Sequence, residues 1–227
     1  MTGVQTCALP ILALSNKEIP TDLREYIEIN ILPQYATFDK AHRLNHAEKV
    51  IEESMKLAQY YEVEPAMVYT IAAYHDLGLC EGREFHHLIS GKILAADEKL
   101  RKWFSEAQLQ TMKEAVEDHR ASNKQAPRSM YGKIVAEADR IINPEVSLRR
   151  AIQYGLSNYP ELDEEAQYER AVAHLRSKYA YGGYLKLWIP QSSNAYQLEK
   201  LRAILTDESK LRSIFERLYK EEIQQRE

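Results

Sequence analysis

In the stretch TIAAYHDLGLCEG, His75 and Asp76 stand side by side at the end of an apolar run. Burying so polar a pair in an apolar setting costs several kcal/mol unless something satisfies it. Residues of the same chemistry recur in similar places along the chain. His46 opens one helix-patterned segment, and His86 and His87 precede or open another. His119 lies near the end of a further one, in AVEDHRASN. Asp139 falls inside GKIVAEADRII, where Ile134, Val135, Ala138, Ile141 and Ile142 mark a half-buried helix. Apart from His174, every histidine belongs to this set or, like His42, stands one turn before a member of it. Imidazoles and carboxylates gathered from several helices are how a helical bundle builds a divalent metal site in its core. Mixed nitrogen and oxygen ligands suit Mn, Fe, Co, Ni or Zn better than an all-oxygen magnesium or calcium cage would.

Taken singly, each member has an ordinary explanation. A lone histidine on an apolar face, such as His46, is most often a satisfied core residue. Asp139 beside Arg140 or Lys133 reads as a routine ion pair worth ~0.3–0.5 kcal/mol. His86 and His87 read as surface residues at a helix start. His119 with Arg120 complements a helix C-terminal dipole, by ~0.3–1 kcal/mol. Only the set as a whole carries the metal reading.

The elements that must position these residues are helical nearly throughout. NHAEKVIEESMKLAQYY puts Ala47, Val50, Ile51, Ser54, Leu57, Ala58 and Tyr61 on one stripe at i, i+3, i+4, i+7 spacing. Asn45 with Glu48 reads as a capping box, which sets His46 in a first turn. Pro65 reads as an N1 proline and Gly78 as a C′ glycine, which sets His75 and Asp76 in a last helical turn. Further helices are expected over 87–97, 106–120 (Ser105 and Gln108 as a capping box), 129–142, 145–158, 163–179, 193–205 and 208–225. The one strand-like run is a weak YLKLWI at 184–189. The expected fold is all-α. Residues 12–144 form a helical metal-binding core, and 145–227 a helical extension packed on it.

Composition bounds the partners. At 227 residues the chain can bury one good-sized core. A net charge of −4 gives no general pull toward nucleic acid or anionic membrane, so recognition of a phosphorylated group must be local. No basic stripe with interleaved aromatics suggests nucleic-acid binding, and no run of ~20 apolar residues suggests a membrane span. Two cysteines without a CxxC spacing point to a reducing cytoplasm. The opening MTGVQTCALPI reads like a translated sequencing adapter, so residues 1–11 are expected to be non-native and Cys7 without a role. The charged tail KLRSIFERLYKEEIQQRE reads as a solvated amphipathic helix with room for a homodimer contact. The tyrosine-rich SKYAYGGYLKLW reads as core or interface rather than as a base-stacking surface.

The order His46, then His75–Asp76, then Asp139 resembles the H…HD…D signature of the HD superfamily of metal-dependent phosphohydrolases. The resemblance covers about Asp39 to Ile142. AHRLNHAEKV is similar to the branch with a histidine four residues before the first ligand. HHLISGKI is similar to the family's histidine followed by two small residues and an aliphatic. AVEDHRASNKQAPRSMYGKIVAEADRI looks like its H … P-x-S-x-x-x-K-I-x-x-x-A-D-R segment. The resemblance implies that His46, His75, Asp76 and Asp139 ligate a first metal, with Asp76 able to bridge to a second. In binuclear branches two further histidines complete the second site, and His119 with either His86 or His87 stands in those places. One ion or two remain open at this point.

Such a site implies attack of metal-activated water on phosphorus, which needs positive groups for the developing charge. Lys133 is the leading candidate, joined by Arg120 beside His119 and Arg83 in the loop after the HD pair. His42 could protonate a leaving oxygen or hold phosphate. For each of these four, a solvated side chain is an equally good reading. The expected activity is hydrolysis of a nucleotide or related small phosphoester or phosphoanhydride. Its rivals are a di-iron oxygenase on the same ligand set and a non-catalytic nucleotide-sensing module.

Overall fold

The computed structural model describes residues 19–37, 44–121, 123 and 125–225. Cys7, His42 and Lys124 lie outside them. Among the described residues the fold is all-α: α1 (Thr21–Asn30), α2 (Leu44–Ala58), α3 (Pro65–Tyr74), α4 (His86–Ala96), α5 (Glu106–Asp118), α6 (Met130–Ala138), α7 (Pro144–Asn158), α8 (Glu164–Tyr179), α9 (Ser193–Thr206) and α10 (Glu208–Gln224). Short 3-10 turns run over Leu32–Thr37, Leu77–Glu81 and Glu98–Lys102.

The helix at the centre is α3. Its sequence is apolar on every side, and each residue from Met67 to Tyr74 is buried. A helix without a polar face must be surrounded, and α2, α4, α5 and α6 pack against it. On α2 the expected stripe is the buried one, with Ala47, Val50, Ser54, Leu57 and Ala58 inside. Pro65 occupies the first turn of α3, and Ser105 and Gln108 form the expected reciprocal cap on α5. A first core gathers the buried residues of α1 to α6 together with Ile189, and a second is formed by residues from Ile142 to Leu218 on α7 to α10 and their connections. The apolar face of α10 (Leu211, Phe215, Leu218) is spent inside this second core.

Several local expectations are corrected. The run 184–189 is not a strand; it is irregular chain that brings Ile189 into the first core. Helix α2 starts at Leu44, so Asn45 lies within it rather than capping it. Helix α3 stops at Tyr74 and α6 at Ala138, each short of the expected end. Gly78 is not a left-handed C′ residue, since the only described glycines with positive φ are Gly82 and Gly182. It is required for closeness instead. A Cβ there would sit 2.2 Å from the His86 carbonyl oxygen and 2.6 Å from the Ser90 nitrogen. The Gly78 N–H donates to Ser90 Oγ at 2.8 Å, and the neighbouring Gly91 allows α4 to close on α5 at Glu117. The small pair after His86–His87 thus lets α4 lie against the turn that carries the HD dipeptide.

Candidate metal centre

The cluster residues sit at helix ends. His75 is the C-cap of α3, His119 of α5 and Asp139 of α6, while His86 is the first residue of α4 and His46 lies in the first turn of α2. Carbonyls at a helix C-terminus lack intrahelical partners, and the cap histidines use them. His75 Nδ1 lies 2.7 Å from the Ala72 carbonyl oxygen and His119 Nδ1 lies 2.6 Å from that of Val116. His86 Nδ1 lies 2.8 Å from the Arg83 carbonyl oxygen. A carbonyl can only accept, so each Nδ1 carries a proton and each Nε2 turns the other way, a bare lone pair whenever its ring is neutral.

Those Nε2 atoms converge. His46 and His75 approach at 3.4 Å, and His86 and His119 at 3.3 Å. Asp76 divides its carboxylate between the two pairs. Its Oδ2 lies 3.4 Å from His75 and 3.7 Å from His46, and its Oδ1 lies 3.4 Å from His119 and 3.5 Å from His86. Asp139 Oδ1 closes the first pair, at 3.1 Å from His46 and 3.8 Å from His75. His75, Asp76 and His119 are buried. Lone pairs facing lone pairs in a buried setting demand a positive charge between them, and this donor set fits a divalent transition metal. Among the described residues two overlapping groups have suitable spacing, His46–His75–Asp76 and Asp76–His86–His119.

The titration behaviour of the metal-free cluster expresses the same demand. Burial pushes His75 down, but the carboxylates of Asp76 and Asp139 outweigh it and raise the ring to about 9. Burial works against the charge on Asp76, yet His75 and His119 hold it well below the ordinary carboxylate range. Asp139 is likewise held low, with His46 overcoming the effect of burial. His86 is pushed down by burial and by the nearby His119.

Between the two adjacent histidines the geometry selects His86. His87 belongs to neither group, its Nδ1 is buried without a hydrogen-bond partner, and burial pushes it down to about 4. Of the candidate phosphate-binding residues, Arg120 donates from Nη1 to the Glu84 carbonyl at 2.7 Å, and its charge helps hold both His86 and His87 low. It therefore borders the second group. Arg83 is exposed, and its carbonyl orients His86. Lys133 is half-buried on α6, the helix that ends at Asp139. Tyr35, which carries no signal in the sequence pattern, is buried beneath the HD dipeptide. Its hydroxyl donates to the Ala73 carbonyl at 3.0 Å and accepts from the Asp76 N–H at 3.3 Å.

Residues 43–143 match the family model of the HD domain. This segment is an HD domain. No curated protein and no solved structure matches the chain. The HD match spans α2 to α6 and every member of the cluster, and it stops one residue before α7. An HD domain belongs to a superfamily of metal-dependent phosphohydrolases, and the buried cluster is where such a chain could hold its metal. No helix among the described residues is long and apolar enough to cross a membrane.

Proposed function

We propose that the protein is a metal-dependent phosphohydrolase acting on a small phosphorylated substrate, a nucleotide or related phosphoester or phosphoanhydride. One observation carries the reading: within an HD domain, Asp76 turns its two oxygens toward two separate histidine pairs. His46, His75, Asp76 and Asp139 would hold one divalent ion, and Asp76, His86 and His119 a second. Bound there, such ions supply Lewis-acid polarisation of a phosphoryl oxygen and an acidified water.

The chain's own residues do the rest. The Nδ1–H bonds to the Ala72, Val116 and Arg83 carbonyls keep three rings oriented and their Nε2 atoms free for ligation. Burial of His75, Asp76 and His119 keeps bulk water from screening the middle of the cluster. Arg120, tethered to Glu84 at the edge of the second group, offers a cation to the charge that develops on a transferring phosphoryl group, with Lys133 and Arg83 as further candidates. The exposed free thiol of Cys80 suits a reducing cytoplasm.

The test is metal analysis of the purified protein, followed by phosphate release from a panel of nucleotides, dinucleoside polyphosphates and sugar phosphates. Turnover by the Mn²⁺- or Co²⁺-loaded protein on at least one class is expected. Protein that binds metal but releases phosphate from none would overturn the reading. The shared Asp76 also supports a second reading, a di-iron oxygenase on the same ligands. Oxygen uptake by iron-loaded protein, without phosphate release by Mn²⁺-loaded protein, would favour it.

A further inference from the structure

We infer that Glu137 is a positioning residue for the metal centre, the anchor through which the segment 186–194 sets the Asp139 carboxylate. The inference rests on the metal reading above and assigns a task to the chain beyond the HD match. Glu137 is fully buried, two residues before Asp139. Two residues along a helix are about 200° of rotation, so the two carboxylates look away from one another. That of Asp139 faces His46, and that of Glu137 faces the C-terminal chain.

Three donors from that chain satisfy it. The Trp188 N–H donates to Oε2 at 2.7 Å, Ser192 Oγ to Oε1 at 2.6 Å, and Asn194 Nδ2 to Oε1 at 3.2 Å. Asn194 Nδ2 also reaches the Glu137 carbonyl at 2.9 Å, and its Oδ1 accepts from the Ile142 N–H at 3.1 Å. A backbone N–H can only donate, which fixes the orientation of the amide. On the next residue, Arg140 Nη1 donates to the Lys186 carbonyl at 2.5 Å, with its guanidinium over the Trp188 ring. Residues 137, 140 and 142 are thus all tied to 186–194, and Asp139 lies between the ties.

A clamp is needed at this ligand for a chemical reason. His75 and His119 also cap helices, but each carries its own N–H donor and locks itself to the carbonyl three residues back. A carboxylate has acceptors only. Asp139 is the last residue that α6 holds, its N–H still bonded to the Val135 carbonyl at 2.9 Å, and the chain leaves the helix just after it, so the direction of its side chain depends on how the residues on either side are tied.

The test compares Glu137→Gln with Glu222→Gln in the full-length protein. Glu222 is a second buried glutamate, bonded to Arg149 and Gln153 far along the chain in the second core. In Glu137→Gln the amide nitrogen must meet a donor at one of two positions, and at the Trp188 N–H that donor cannot rotate away. Mn²⁺ affinity is measured by calorimetry and the Co²⁺ absorption spectrum is recorded, both well below the unfolding temperature of each variant. Glu137→Gln is expected to weaken the ion at His46–His75–Asp139 about 10- to 100-fold, the range for loss of a group that orients a ligand, and to alter its Co²⁺ spectrum. The ion at His86–His119 should change much less. Glu222→Gln should lower stability and leave both affinities as in the wild type. Should Glu137→Gln not fold, Ser192→Ala keeps the carboxylate, removes one tie and should act in the same direction with a smaller loss. Wild-type affinity in whichever of these variants folds would overturn the inference and leave the metal reading intact. A wild-type protein that binds no divalent ion would overturn both.

Discussion

Buried charge is handled in opposite ways in the second core and around Asp76. In the second core, Glu222 accepts from Arg149 at 2.7 Å and from Gln153 at 2.9 Å, and Arg149 also holds Glu221. Every acceptor there has a donor. Around Asp76, ring nitrogens face ring nitrogens at 3.3 and 3.4 Å and carboxylate oxygens at 3.1–3.8 Å, while the Nδ1–H donors of three rings are spent on backbone carbonyls. A closed set needs nothing further, whereas an open set needs a cation. What separates a candidate binding centre from a structural ion pair in this chain is therefore not burial, which both share. It is the removal of the donors.

The comparison breaks most sharply at Asp76. Asp76→Asn should abolish binding of both ions and lower phosphate release on the order of 10³-fold or more, because one group serves both halves of the centre. Metal content of the purified variant checks this, and retention of both ions would show that the open set is not the binding site. Lys133→Met should keep the metal and the fold while lowering turnover roughly 10²-fold, as when a transition-state charge donor is lost. Unchanged turnover would leave the phosphate to Arg120 or Arg83. His86→Ala should weaken one ion about 10-fold or more, and His87→Ala should leave both ions in place, since only His86 faces Asp76. Equal losses from the two substitutions would mean that the rings exchange roles. In the closed set, Glu222→Gln should cost about 1–3 kcal/mol of stability with no change in metal content, measured by denaturant unfolding of the metal-free protein.

The smallest effect is in protons. With His75 raised to about 9 in the metal-free centre, its ring carries a proton at pH 7.5, and a metal can bind only the bare nitrogen. Binding at pH 7.5 should therefore release about one proton from this ring, and affinity should climb with pH until about 9. Calorimetry in buffers of different ionisation enthalpy measures the release. A release that does not shrink above pH 9 would place the proton elsewhere.

Helix starts were easier to read than helix ends. Pro65 and the Ser105–Gln108 box announce themselves chemically, and both occupy their expected positions. The expected ends of α3, α5 and α6 over-run, because periodicity continues through a cap residue that is still roughly helical in φ and ψ, whereas those of α7 and α8 fall where expected. His75, His119 and Asp139 all have such backbone angles. Gly78 misled for a related reason. A glycine near a helix end can supply positive φ or close approach, and only the position of α4 reveals that it supplies the second.

By itself the sequence determined the helical class, through apolar residues spaced for one face of a helix, and it determined the ordered candidates His46, His75, Asp76, His86 or His87, His119 and Asp139, since residue type and chain order are local information. The choice of His86 over His87 belonged to the tertiary structure. Adjacent helical residues point about 100° apart, and only the packing of α4 on Gly78 and α5 decides which of them faces Asp76. The division of the Asp76 carboxylate, the Tyr35 hydroxyl under the HD turn and the bonds from 186–194 to Glu137 belong there too. Each joins residues some 40 to 55 positions apart, or brings helix ends together from four directions. No periodicity records such a meeting, because it arises only when separate helices bury their apolar faces on one another.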